Sequence, residues 1–146
     1  MLSARRRVIN GVSGAIGGGL NYAIAAAKAC PGAPILALMG DGTLGFHLAE
    51  FETAAREQLP FVAVVGNDQR WNAEHQIQLS AFGADRLIGC DLSAARYEQA
   101  VVALGGHGEL VTQAEQLAPA LERAFASGKP ALVNVLIDGL PAPSFS

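Results

Sequence analysis

Two aspartates, Asp41 and Asp68, stand at the ends of two short apolar runs and are the residues best placed to do chemistry. Asp41 lies within Gly40-Asp41-Gly42-Thr43-Leu44-Gly45, directly after Ile35-Leu36-Ala37-Leu38-Met39. Asp68 closes Gly66-Asn67-Asp68, after Phe61-Val62-Ala63-Val64-Val65. Both runs suit strands buried on both faces of a parallel sheet. Between them, Phe46, Leu48, Phe51, Ala54 and Ala55 recur at helical spacing over Phe46 to Gln58, and Leu59-Pro60 ends that helix. Such a strand–helix–strand unit sets its strands parallel and adjacent, with both loops at the same carboxyl edge. Adjacent strands lie about 4.8 Å apart. Two carboxylates about 5 Å apart repel by roughly 3 kcal/mol at an effective dielectric near 20. A hard divalent cation between them turns that repulsion into attraction. The glycine-rich segment, read as a turn whose glycines accept positive φ, and the helix start after it would attract an anion. Carboxylates, cation and phosphate together describe a metal-bridged diphosphate site.

A rival reading fits the same segment. Gly40 to Gly45 satisfies G-x-G-x-x-G between a strand and a helix, and Asp68 stands where a ribose-binding acid belongs in a dinucleotide site. Asp41 argues against it, because its carboxylate would point at an unmetallated pyrophosphate.

The composition bounds the remaining choices. The 146 residues are 51% hydrophobic and 16% charged, which makes one globular domain with a proper core. A net charge of −3 speaks against a nucleic-acid surface. Cys30 and Cys90 match no metal spacing and no disulfide framework, as in a reduced cytoplasm. Arg5-Arg6-Arg7 before a small-residue stretch imitates a secretory signal, but Gly17-Gly18-Gly19, Asn10 and Asn21 interrupt its apolar region. No run approaches the ~18 apolar residues of a membrane span.

The elements around the two loops follow in order. A glycine-rich approach, Val8 to Gly19, leads into an alanine-rich helix from Leu20 to Cys30, stopped by Pro31-Gly32-Ala33-Pro34. After Asp68, residues Gln69 to Gln78 are polar and aromatic and lie at the edge where open α/β sheets bind ligands. Ala81 to Asp91 reads as irregular, and Asp91-Leu92-Ser93 caps a helix through Tyr97 to Leu104. A short strand at Glu109–Thr112, a helix from Gln113 to Ser127 and a last strand, Ala131–Ile137, complete a mostly parallel α/β three-layer sandwich. The tail at Pro141-Ala142-Pro143 is expected to fray.

With these residues in hand, the chain resembles the thiamine diphosphate-dependent enzymes. The likeness is to the diphosphate-binding (PP) domain of the acetolactate synthase, benzaldehyde lyase and 2-hydroxyacyl-CoA lyase group. The family motif is G-D-G, some two dozen residues, then an asparagine-containing pair, met here by Gly40-Asp41-Gly42 and Asn67-Asp68. The resemblance runs from about Asn10 to Ile137 and implies a thiamine diphosphate-binding fold with Mg²⁺. It makes Asp41 the first metal ligand and Asp68 the second, where the family usually has asparagine. The backbone carbonyl of Arg70 would be the third ligand, with Asn67 in reserve. The change to Asp68 keeps a ligating oxygen and adds a negative charge. Gly42 and Thr43 match residues touching the diphosphate, and Gly40 shapes the turn. Upstream, the carbonyl of Gly14 would accept from the aminopyrimidine, and Ile16 would wedge the cofactor into a V shape. Gly18 and Gly19 are left to packing.

Other residues keep two readings. His47 faces the diphosphate or caps a helix, and Glu74 and His75 line a cleft or a solvated helix face. Trp71 forms a pocket wall or a subunit interface. His107 reads as a surface residue, and Glu50 and Glu52 as helix-face charges. No catalytic residue is assigned, since the chemistry belongs to the cofactor. In the family, a glutamate on a separate pyrimidine-binding (PYR) domain activates the cofactor, and nothing in this chain resembles that domain. The resemblance therefore implies the metal–diphosphate half of a 2-keto acid decarboxylase or carboligase. Its partner is a PYR-bearing chain or an absent amino-terminal region, within a homo- or hetero-oligomer. A nucleotide-binding dehydrogenase module and a non-catalytic partner of the same fold are the alternatives.

Overall fold

The computed structural model describes residues 15–141. Helix α1 (Gly18–Ala29) precedes strand β1 (Leu36–Gly40), which runs directly into α2 (Asp41–Gly45) and, after turns, α3 (Glu50–Arg56). Strand β2 (Phe61–Asn67) is followed by α4 (Asn72–Phe82), α5 (Tyr97–Ala103), β3 (His107–Val111), α6 (Leu117–Ala126) and β4 (Pro130–Leu136). The four strands are all parallel, in the order β1-β2-β4-β3.

Two cores flank the sheet, as the alternation of side chains along a strand requires. On one face Leu20, Ala23, Leu44, Phe51, Ala54 and Val101, from α1, α2, α3 and α5, pack on Ala63, Val65 and Leu132. Phe51 and Phe61 meet there with ring centroids 5.4 Å apart. On the other face, Ala120 and Ala124 of α6 pack on Val62, Val111, Ala131 and Val133. Small residues on α6 let that helix lie close to the strands. The result is the expected three-layer α/β sandwich.

Three details differ from the sequence reading. Strand β1 is an edge, and α6 packs on β2, β3 and β4. Leu36 and Leu38 are consequently 51% and 73% exposed, so an apolar run did not mean burial on both faces. Second, the segment after β1 is no open loop: Asp41 begins a helix at once, and the expected helix over 46–58 is shortened to α3. None of Gly40, Gly42 and Gly45 has positive φ. Gly42 is needed for space instead, since a Cβ there would lie 2.7 Å from the Trp71 ring. Third, the polar stretch after Asp68 folds as α4, which has no buried residue.

Among the described residues, no helix is long and apolar enough to cross a membrane. Gly14, the Arg5-Arg6-Arg7 run and residues 142–146 lie outside the described part.

Candidate metal–diphosphate site

Register explains why the two aspartates meet. Gly40 of β1 pairs with Gly66 of β2, so Asp41 and Asp68 emerge one and two residues beyond a matched pair, at one edge of the sheet. Asp41 is only 1% exposed, and its Oδ2 has no hydrogen-bond partner. Burial raises the proton affinity of its carboxyl, and the nearby charge of Asp68 raises it further. The backbone amides of Gly42 and Arg70 partly offset both. Its charge also reaches the Tyr97 phenol, whose pKa is pushed up first by burial and then by Asp41.

A buried carboxylate oxygen without a partner is costly and calls for a ligand. Among the described residues, no group of three or more His, Cys, Asp or Glu side chains gathers to hold a metal. Two carboxylates with open positions left for main-chain and phosphate oxygens suit Mg²⁺, which is usually bound by one or two carboxylates plus phosphates. The donors are therefore of the right hardness and number for a metal-bridged diphosphate.

The second loop is tightly built. Asn67 is buried, with Oδ1 accepting from the Gln69 amide at 3.1 Å and Nδ2 donating to Asn134 Oδ1 at 3.1 Å. Its carboxamide is thus engaged within the protein. Gln69 takes a left-handed φ of 56° between Asp68 and Arg70. Arg70 forms an antiparallel bridge with Asp91, and its Nε donates to the Asp91 carboxylate at 2.9 Å. Trp71 donates its amide to the Cys90 carbonyl, and Leu92 donates to that of Gln69. The carboxyl-terminal segment closes over this loop. Ile137 donates to the Asn67 carbonyl, and Asn72 Nδ2 donates to that of Leu140 at 2.7 Å.

The upstream strip arrives at the same edge. His47 Nδ1 is 2.9 Å from the Gly17 carbonyl, a contact that ties the glycine-rich segment to the residues just after α2. A Cβ on Gly17, whose φ is +93°, would lie 3.3 Å from Phe46. Ile16, next in the chain, is 47% exposed. Trp71 stands edge-on to Phe46 with centroids 5.8 Å apart, and its ring lies against Gly42, next to Asp41. Thr43 is half-buried in the short helix that Asp41 begins. Glu74 is exposed and His75 half-buried on α4, while His107 pairs with Glu109 at 2.9 Å on the far strand. Glu52 pairs with Arg56 at the surface of α3. Two shallow grooves, one lined by Gly32 to Ile35 and Phe125 and the other by Ala27 and Pro31, sit at the opposite, amino-terminal edge of the sheet. They hold neither aspartate.

Two polar residues of this region were not singled out in the sequence. Asn134 is wholly buried and Glu98 is 5% exposed. The signal for Asn134 was available, since it interrupts an otherwise apolar strand.

A parallel sheet flanked by helices, with acidic strand ends beside a glycine-bearing helix start, places the chain among the open α/β domains whose ligand loops lie at the carboxyl edge of the sheet. Within that class, the chain belongs to the thiamine pyrophosphate enzyme family as its C-terminal TPP-binding domain, whose family model matches residues 1–135. A probable acetolactate synthase of Mycobacterium bovis is 43% identical over 129 residues, 88% of this chain and 23% of that protein. Human 2-hydroxyacyl-CoA lyase 2 is 33% identical, over 87% of this chain and 21% of its own. Oxalyl-CoA decarboxylase of Escherichia coli is 36% identical, over 94% and 24% respectively. Among solved structures, the thiamine diphosphate-dependent 4-hydroxybenzoylformate decarboxylase of Rhodococcus jostii superposes with a TM-score of 0.79 at 25% identity, covering 86% of this chain and 24% of that one. The chain thus spans about a quarter of the length of these relatives. The cofactor for which the family is named is thiamine pyrophosphate, that is, thiamine diphosphate.

Proposed function

We propose that this chain, as a single domain over 1–146, supplies the Mg²⁺–diphosphate half of a 2-keto acid decarboxylase or carboligase. The observation that carries the reading is the buried, unpartnered Oδ2 of Asp41 within electrostatic reach of Asp68. Asp41, Asp68 and the Arg70 carbonyl would hold the metal, and Gly42 and Thr43 would approach the diphosphate. Gly40 sets the direction in which Asp41 leaves the strand, and Asn67 shapes the second loop. Gly14 and Ile16 would meet the aminopyrimidine; the tie between Gly17 and His47 supports that placement for Ile16. When bound, the cofactor supplies the carbanion stabilisation that cleavage or formation of a bond next to a carbonyl requires. The chain's own residues bind and orient it.

Completion by a PYR-bearing region or partner, in a homo- or hetero-oligomer, belongs to the same proposal. The greater length of the relatives supports it. A cytoplasmic location is also proposed, supported by the buried, reduced Cys90.

Thermal denaturation of the full chain with Mg²⁺, thiamine diphosphate and NAD, separately and together, tests the reading. Stabilisation that needs Mg²⁺ and thiamine diphosphate jointly is expected. Stabilisation by NAD alone, or no response at millimolar ligand, would overturn it.

A further inference from the structure

A line of buried polar side chains runs from the surface of α5 to the metal loop. Arg96 Nε donates to Glu98 Oε1, and Glu98 Oε2 accepts from Asn134 Nδ2 at 2.8 Å. Asn134 Oδ1 accepts from Asn67 Nδ2 at 3.1 Å, and Asn67 Oδ1 accepts from the Gln69 amide at 3.1 Å. Three of its members, Glu98, Asn134 and Asn67, are buried.

The chemistry of the groups gives this line a direction. A carboxylate only accepts, so Glu98 obliges Asn134 to turn its NH₂ towards it and its oxygen the other way. That oxygen fixes the NH₂ of Asn67, which leaves the Asn67 oxygen facing the Gln69 amide. Asn67 and Asn134 can bond across because they lie on neighbouring strands, with Asn134 opposite Val65. At the far end Gln69 holds a left-handed φ that non-glycine residues seldom adopt unless restrained. Gln69 is the link between Asp68 and Arg70, so its backbone conformation sets the relative directions of both.

We propose that Asn134, oriented by Glu98, is a positioning residue that fixes the Asp68–Arg70 loop for metal through Asn67 and Gln69. The inference rests on the metal–diphosphate reading of that loop. It assigns to the core strand β4 a part in cofactor binding, although neither Asn134 nor Glu98 touches the ligand.

The test is amide hydrogen exchange of the full ¹⁵N-labelled chain, followed by titration of Mg²⁺ at fixed thiamine diphosphate. Asn134→Leu keeps the bulk of the side chain and removes its polarity. It is expected to speed exchange of the Gln69 amide about tenfold while leaving that of Val65 unchanged. Its apparent Mg²⁺ affinity should fall about 10- to 100-fold, the range for residues that orient metal ligands. Glu98→Leu should act in the same direction, and Glu98→Gln, which has one acceptor where Arg96 and Asn134 need two, should fall between the wild type and Glu98→Leu for both. Should Asn134→Leu not fold, the two Glu98 variants decide the matter alone. Equal acceleration at Gln69 and Val65 would signal general loosening and overturn the proposal, as would unchanged Gln69 exchange. Faster Gln69 exchange with unaltered Mg²⁺ affinity would overturn it while leaving the metal site standing. Absence of any Mg²⁺ response in the wild-type chain would instead remove the functional reading, and the proposal with it, whatever Gln69 does.

Discussion

Asp41 and Asp68 leave neighbouring parallel strands just beyond the paired glycines Gly40 and Gly66, near enough for one charge to raise the proton affinity of the other. The strain in this arrangement is electrostatic, and a bound Mg²⁺ would relieve it. Replacing Asp41 by Asn removes the buried charge and leaves only a neutral amide oxygen where the proposed carboxylate ligand stood. The variant should melt no lower than wild type in chelator, and it should lose the Mg²⁺-dependent part of any thiamine diphosphate shift. Differential scanning fluorimetry in matched buffers measures both. A full metal response in Asp41→Ala, which keeps no ligating oxygen, would remove Asp41 from the metal set.

The same pair sets a pH dependence. Asp41 has its folded-state pKa raised, chiefly by burial and then by Asp68. A carboxyl of this kind favours folding below its unfolded pKa, and that contribution is lost as pH rises through the raised folded value. Mg²⁺ held by Asp41 would reverse the sign, because it would bind the deprotonated form. Stabilisation by Mg²⁺ with thiamine diphosphate should therefore grow as pH climbs from the ordinary carboxylate range through the raised value. A response that is flat across this window, or that falls with pH, contradicts the assignment.

Space beside the motif is the third point. A Cβ at position 42 would lie 2.7 Å from two carbons of the Trp71 ring. Gly42→Ala should cost about 1–3 kcal/mol, the usual penalty of overpacking. Trp71→Leu should recover much of that loss in the double variant, giving a coupling of about 0.5–3 kcal/mol in urea denaturation. Strict additivity would mean that Trp71 does not dictate the glycine.

Away from the site, Gln58 ends α3 with a φ of 55°. Its amide donates to the Ala55 carbonyl and that of Leu59 to Ala54, the two bonds of a Schellman turn. Gln58→Gly should relieve left-handed strain and stabilise the chain by about 0.5 kcal/mol, after the added freedom of the unfolded chain is subtracted. Destabilisation on chemical denaturation would contradict this account of the turn.

Periodicity and connection rules carried much of this structure. The runs around Val62 and Leu132 became buried strands, and the strand–helix–strand rule set Asp41 beside Asp68 with no structure in hand. What local pattern missed depended on distant neighbours. Leu36 and Leu38 look like core in the chain, but α6 serves the other three strands and leaves them exposed. The glycines of the motif read as positive-φ residues, whereas Gly42 answers to Trp71, which lies far along the chain. The line from Glu98 through Asn134 to Asn67 joins three separate elements, and only the lone polar residue in β4 hinted at it.

The account stands most directly on where a divalent ion goes. Crystals of the full chain grown with Mn²⁺ and thiamine diphosphate, with diffraction recorded at the manganese absorption edge, locate it without reference to activity. The prediction is one anomalous peak touching both the Asp41 and Asp68 carboxylates and the diphosphate. Ordered diphosphate with no such peak, or a manganese ion bound elsewhere on the chain, would contradict it.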